Sequence, residues 1–284
     1  MLPRADAGLN LMNTFTLSDI ASFFKNEGIE YFAFCDPKKL KVINERKQKK
    51  LTDLFEPKAA LFFLVPYYFG EEKTNLSLYA VSKDYHLYFD SLFKRFSKNF
   101  SLDESRFKGF SDSSPVDEVK AAAALGLGVL GDNGLLINEK YGSYVFIGEM
   151  FSSFVPEGVI PESEDKTKRC LHCSLCKSSC PSGALTNGDK NKCLSCLSQK
   201  KKLSIEEEEL LKKNGVIWGC DICQKKCPLN SKAQTTPILF FHEDRIGFID
   251  TETLDYLIRE DLFAQRAYSW RGKDVILRNL NLTL

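Results

Sequence analysis

Nine of the ten cysteines fall between Cys170 and Cys227, and only Cys35 stands apart. The run Cys170-x2-Cys173-x2-Cys176-x3-Cys180-Pro181 puts three thiolates on one tight loop and carries a fourth away ahead of a proline. A second run ends Cys220-x2-Cys223-x3-Cys227-Pro228, with Cys193 upstream as its displaced member. Three close thiolates reach three corners of a cubane, and the cysteine before proline serves the other one, so the doubled pattern specifies two 4Fe–4S clusters. That crossing rule assigns one cluster to Cys170, Cys173, Cys176 and Cys227, and the other to Cys180, Cys193, Cys220 and Cys223. Cys196, three residues after Cys193, is an alternative at that corner. Paired structural zinc sites also use CxxC units, but zinc does not require the x2-x2-x3-Pro rhythm. Cys35 lies in an apolar stretch and reads as a small core residue.

More than half of the 284 residues precede Cys170, enough for a large domain ahead of the cysteine module. An apolar content of 43% allows an ordinary globular core. A formal net charge of +1 gives no global argument for nucleic acid or membrane, so any such contact must come from a local patch. No stretch approaches the roughly 20 apolar residues of a membrane span. Residues 1–13 lack a basic segment followed by an apolar run, so no secretory signal is expected there, and they read as a disordered extension or tag. Clustered cysteines in such a chain point to cluster chemistry in a reducing, cytoplasmic setting rather than to disulfides.

The elements that would hold the ligand loops are partly legible. Residues 16–26 carry Ile20, Phe23 and Phe24 at helical spacing, with Gly28 as the stop. Residues 31–35 read as a short buried strand and 59–65 as a longer one. Residues 85–100 form the next helix, with Leu92, Phe93 and Phe96 inward. Ser114 and Pro115 read as the cap and first position of another helix, which runs through residues 121–124 and stops in Gly126-Leu127-Gly128. Residues 144–151 read as a further strand, 156–168 as a polar linker. From 235 onward the chain reads as helical, with Leu254, Leu257, Ile258, Val275, Ile276 and Leu277 on apolar faces. Helices alternating with strands ahead of the linker give an α/β or α+β domain.

Six short stretches, in order, resemble the epoxyqueuosine reductases. They are 79–86 (YAVSKDYH), 111–115 (SDSSP), 125–133 (LGLGVLGDN), 141–150 (YGSYVFIGEM), 219–223 (GCDIC) and 277–280 (LRNL), arranged around the cysteine module. The resemblance runs from about residue 59 to residue 281. It implies an α+β protein: a nitroreductase-like, cobalamin-binding α/β catalytic domain over 14–165, a bacterial-ferredoxin-like module with two 4Fe–4S clusters over 166–234, and a short α-helical tail over 235–284. It implies an oxidoreductase of queuosine biosynthesis, removing an epoxide oxygen from a tRNA nucleoside to leave an alkene and water. Electrons would pass through the clusters to cobalamin. Low-potential clusters suit that task.

The resemblance also assigns residues. Asp112 matches the family's proton donor, since the departing oxygen needs an acid. The bland alternative for Asp112 is a turn or cap. Ser77, His86, Leu136, Ile147, Ser195 and Asp221 fall where the family contacts cobalamin, and Cys193 rather than Cys196 falls at the fourth ligand position. His172 and His242 gain no role. The implied partners are the tRNA anticodon arm and an external donor such as a flavodoxin or ferredoxin, with the protein a monomer. Asp132 stands where the family commonly has lysine, and Cys196 where it commonly has an aromatic residue. The chain stops soon after residues 277–280, where longer members continue into helical repeats that grip tRNA. Lys200, Lys201, Lys202, Lys225 and Lys226 could form a local phosphate-binding patch, or simply a solvated surface. Two other functions remain open at this point: a cobalamin and iron–sulfur reductase of another substrate, such as a reductive dehalogenase, or an electron-transfer protein without catalysis.

Overall fold

Thr16 opens the first helix, α1 (Leu17–Asn26). Its hydroxyl accepts from the Asp19 N–H, and the Asp19 carboxylate accepts from the Thr16 N–H at 2.8 Å, a reciprocal capping box. The computed structural model describes residues 15–162 and 164–283. The 1–13 segment read as an extension or tag lies outside them. Strand β1 (Phe32–Cys35) follows, then α2 (Glu45–Thr52) and β2 (Ala59–Pro66), whose eight residues are all buried. Helix α3 (Tyr85–Asn99) begins on the Asp84 cap and leads to β3 (Phe107–Ser111) and α4 (Glu118–Ala124). Two short strands, β4 (Val129–Leu130) and β5 (Leu136–Ile137), precede β6 (Val145–Ser152).

The main sheet has the order β1-β2-β6-β3 with every pair antiparallel, so the domain is α+β. Alternation along β6 divides the interior. Phe146, Gly148 and Met150 face a large aromatic core with Phe63, Phe89 and Trp218; Ile147, Glu149 and Phe151 face a smaller one with Phe62 and the alanines of α4. Gly148 is required at the first face, because a Cβ there would stand 2.2 Å from the Phe63 ring.

Strand β7 (Lys168–Arg169) pairs in parallel with β4, tying the start of the cysteine module to the preceding domain. The module then runs through the short helices α5 (Leu175–Ser178), α6 (Ala184–Asn187) and α7 (Leu194–Leu197), the longer α8 (Ile205–Asn214), and α9 (Ile222–Lys225). The tail carries α10 (Thr251–Arg259) and α11 (Lys273–Thr283). Phe241, Leu257, Tyr268 and Ile276 of the tail belong to the same aromatic core as the sheet, so the tail is built into the molecule.

Three expectations change. Ser114 and Pro115 do not open a helix: α4 starts at Glu118 on an Asp117 cap, and the Ser114 hydroxyl instead accepts from the Val116 N–H at 2.9 Å. The extended 114–116 backbone is taken by the segment after β1, where Ile43 N–H donates to the Pro115 carbonyl at 2.9 Å. Asp112 therefore sits in the bend just after β3 rather than ahead of a helix. In the tail, Ile258 and Leu277 are 39% and 40% exposed, because at 100° per residue each rotates off the face that buries Leu257 and Ile276. Residues 242–250 there are not helical. Elements α2 and β3 had no expectation attached to them.

Candidate functional site

The cysteines form two groups. Cys170, Cys173, Cys176 and Cys227 line one small cavity together with Asp132, Asn133 and Leu229. In the second group, burial pushes the Cys220 thiol up to about 11, with Cys193, Asp221 and Cys180 adding to it. Burial likewise pushes Cys223 up to about 12, with Cys220 beside it. Cys180, Cys193, Cys220 and Cys223 thus share one neighbourhood. Cys196 is exposed, and the charges acting on it come from Cys193, Lys190 and Lys200. None of the ten cysteines is paired in a disulfide, and Cys35 is a buried core residue.

The second group is clamped to the N-terminal domain. The Asp221 carboxylate, 6% exposed, accepts from the Ser77 hydroxyl and from the Leu78 N–H at 2.7 Å. Gly219, at φ 71°, allows this approach, since a Cβ would lie 2.4 Å from that of Ser77. Ser77 N–H donates to the Trp218 carbonyl at 2.8 Å, and the Trp218 indole N–H to the Tyr79 hydroxyl at 2.8 Å. Gln224 donates to the Ser143 carbonyl at 3.0 Å, and Asn230 to the Ser143 hydroxyl at 2.8 Å.

Beside this clamp opens a cleft of about 590 Å³ lined by Tyr79, Tyr85, His86, Asp112, Phe146, Gln199 and Trp270, among others. Helix α3 positions Tyr85 and His86 in its first turn. The Tyr85 ring stacks on Phe146 with centroids 4.2 Å apart, and its hydroxyl donates to the Asp112 carboxylate. Burial, then the Asp112 charge, raises the Tyr85 hydroxyl far above the usual phenol range, so it stays a donor. Asp112 itself sits at φ 53°, a left-handed backbone uncommon outside glycine, which turns it out of β3 toward the cleft. His86 stacks on Tyr85 at 4.2 Å and shares its Nδ1 with Asp84 at 2.8 Å; that bond raises its pKa.

Of the residues assigned to a cofactor by resemblance, His86 lines this cleft. Ser77 and Asp221 bond to each other in the clamp. The Ser195 carbonyl accepts from Gln199, a lining residue, at 3.0 Å. Leu136 and Ile147 have their side chains in the smaller core, behind β6, and do not line the cleft. Asp132, in place of lysine, meets His172 Nδ1 at 2.9 Å and Lys177 Nζ at 3.6 Å, beside the first cysteine group. His242 Nε2 bonds the Thr236 carbonyl at 2.8 Å. Lys200 pairs with Glu207 at 2.5 Å, while Lys201, Lys202, Lys225 and Lys226 are exposed. No motif or spacing singled out Gln199 or Trp270. Tyr85 lay inside a matched stretch, adjacent to His86, and could have been singled out there.

A double cysteine module docked on an antiparallel α+β domain, with a tyrosine–carboxylate cleft at the seam, defines the class of iron–sulfur protein. Residues 169–230 match the 4Fe-4S double cluster binding domain. An epoxyqueuosine reductase of Leadbetterella byssophila is 33% identical over 246 residues, 82% of this chain and 78% of the relative. The chain belongs to the epoxyqueuosine reductase family. It spans about half the length of other curated relatives: an epoxyqueuosine reductase of Francisella cf. novicida is 32% identical over 207 residues, covering 70% of this chain and 54% of the relative. The fold is that of the epoxyqueuosine reductase of Streptococcus thermophilus, with a TM-score of 0.71 at 24% identity over 94% of this chain and 80% of that one. An epoxyqueuosine reductase crystallised with a tRNA-Tyr epoxyqueuosine-modified tRNA stem loop gives the same TM-score at 21% identity and the same coverage. No helix among the described residues is long and apolar enough to cross a membrane.

Proposed function

We propose that this chain reduces epoxyqueuosine to queuosine in tRNA, as a cobalamin-dependent reductase of the cytoplasm. The observation that carries the reading is the meeting of the Tyr85–Asp112 pair with the second cysteine group at one seam, through Gln199, Tyr79 and the Ser77–Asp221 bond. Two 4Fe–4S clusters are held by Cys170, Cys173, Cys176 and Cys227 and by Cys180, Cys193, Cys220 and Cys223. The gathering of each set supports that assignment, and the surroundings of Cys196 favour Cys193 as the ligand.

The cleft suits a large planar group, with Tyr85 and Phe146 as an aromatic wall and an open mouth. His86 would contact cobalamin there, Ser77, Asp221 and Ser195 would brace the wall from the clamp beside it, and Leu136 and Ile147, buried in the smaller core, would not touch it. Bound cobalamin supplies a strongly reducing centre fed one electron at a time. The protein's own part is proton management: Asp112 gives a proton to the departing epoxide oxygen, and the Tyr85 hydroxyl holds the carboxylate that remains. Exposed Lys201, Lys202, Lys225 and Lys226 offer contacts for tRNA phosphates, and an external flavodoxin or ferredoxin supplies electrons to the monomer.

The test is cobalamin titration of anaerobically reconstituted protein, followed by turnover of precursor tRNA. The expected result is a shifted cobalamin spectrum, queuosine as product, and an Asp112→Asn variant that still binds cobalamin yet turns over on the order of 100-fold more slowly. Two intact clusters without cobalamin binding would leave an electron-transfer protein instead.

A further inference from the structure

The two tryptophans of the chain touch each other and stand in opposite environments. Trp218 is 1% exposed, whereas Trp270, at 61%, is the most exposed aromatic residue among the described ones. A single turn of 3-10 helix, Ser269–Arg271, carries Trp270 outward while Tyr268 just before it is fully buried. Arg271 lies over one face of the Trp270 ring, its guanidinium carbon 3.9 Å from the centroid, and Trp218 meets the ring edge-on at 6.4 Å. The Arg271 Nε has no hydrogen-bond partner, so the cation–π contact is what holds that side chain against the ring. The open area of Trp270 is therefore the opposite face. An isolated exposed apolar side chain is ordinary, but this one lines the cleft that holds Tyr85 and Asp112.

The same side of the cleft is basic. Gln199, another lining residue, leads directly into Lys200, Lys201 and Lys202. Arg278 fixes that turn to the tail, donating to the Lys200 carbonyl at 2.6 Å and the Lys201 carbonyl at 3.2 Å. Lys200 is taken up by Glu207, while Lys201 and Lys202 are exposed. The acidic lining groups are already engaged, Asp84 with His86 and Asp112 with Tyr85. An open aromatic face beside exposed cations fits one nucleotide of a single strand, with its base on the ring and its phosphates on the lysines. A duplex offers no unstacked base, so the matching segment is a loop.

Resting on the function proposed above, we propose that Trp270, backed by Arg271, is a stacking platform for an anticodon-loop base next to the modified nucleotide, with Lys201 and Lys202 on the flanking phosphates. Stacking on Trp270 draws that neighbouring base out of the loop's own stack and leaves the modified nucleoside free to turn into the cleft toward Asp112. Trp270 is a substrate-binding residue and takes no part in proton transfer. The platform belongs to the tail, which gives residues 263–283 a direct part in substrate recognition besides packing on the sheet.

The test is binding of a fluorescein-labelled anticodon stem-loop RNA to the full-length, cluster-loaded protein, read by anisotropy without turnover. Trp270→Ala should weaken binding on the order of tenfold, and Trp270→Phe, which keeps an aromatic face, should restore most of it. Stem-loops with one loop base at a time replaced by an abasic unit should show one position, adjacent to the modified one, where the parent protein loses affinity by a similar factor. At that position Trp270→Ala should lose nothing further, a coupling that a merely structural role would not produce. This series needs only the parent protein to locate the base, so it holds even if a variant folds poorly. Lys201→Ala should reduce the slope of log affinity against log salt by about 0.7, whereas Trp270→Ala should leave the slope as it is. Parent-like RNA affinity in Trp270→Ala overturns the proposal, including the case where cobalamin affinity falls instead, which would make Trp270 a cofactor contact. Equal and additive losses at every abasic position overturn it as well. If the parent protein binds no stem-loop, both this inference and the tRNA function fall; if it binds through Trp270 but reduces no epoxyqueuosine, only the function does.

Discussion

The two cysteine quartets share one spacing rule and stand in opposite surroundings. Around the first, Cys173 is exposed, and the neighbouring Leu171 and Leu175 are 66% and 47% exposed. Its loop is held by the two-residue pairing of β7 with β4 and by the polar contacts of Asp132. Around the second, Asp221, Trp218 and Leu197 are all buried, and the Ser77 loop closes over Gly219. The motif supplies thiolates to both; what differs is what the rest of the chain packs on them. Under the proposed function the open quartet is the one an external donor can reach, and the sealed one hands electrons to the cleft.

The largest expected effect falls on the sealed quartet. Cys223→Ala should halve the iron content, to about four irons per chain, and abolish turnover, because a cubane missing a buried ligand has no solvent-side substitute. Iron analysis with electron paramagnetic resonance of the reduced protein checks it; full iron content would remove Cys223 from the ligand set. Next comes the clamp. Asp221→Ala should cost about 2–3 kcal/mol, since the Leu78 N–H and the Ser77 hydroxyl lose a charged acceptor inside a buried seam. Denaturant unfolding measures the loss, and a change within error would mean the seam is not held by Asp221. The smallest effect is expected at Cys196→Ser, with iron content and stability within error of the parent. A lost cluster there would exchange the roles of Cys193 and Cys196 and redraw the sealed quartet.

How much was legible follows the range of the interactions. Capping and periodicity marked α1, α3 and the strands at β2 and β6, because Thr16, Asp19 and the apolar repeats act within a turn or a strand. The start of α4 was misplaced, because Ser114-Pro115 has the right types for a helix start and only the pairing of that stretch with Ile43 shows that it is extended. Strand β3 has five residues with one fully buried, so no alternation announced it. Asp112 was marked by its motif, but its left-handed backbone and its bond to Tyr85, 27 positions away, were not.

Residue order was enough for the cluster chemistry, since x2-x2-x3-Pro spacing sets how many thiolates one loop can present, and the order of the motifs was enough for the family. Tertiary structure alone decided which quartet is sealed, that Gln199 and Trp270 complete the cleft, and that of the two tryptophans Trp218 is buried and Trp270 open. These outcomes depend on contacts between residues tens to more than a hundred positions apart, where burial and neighbouring charge, rather than residue type, set what a side chain does.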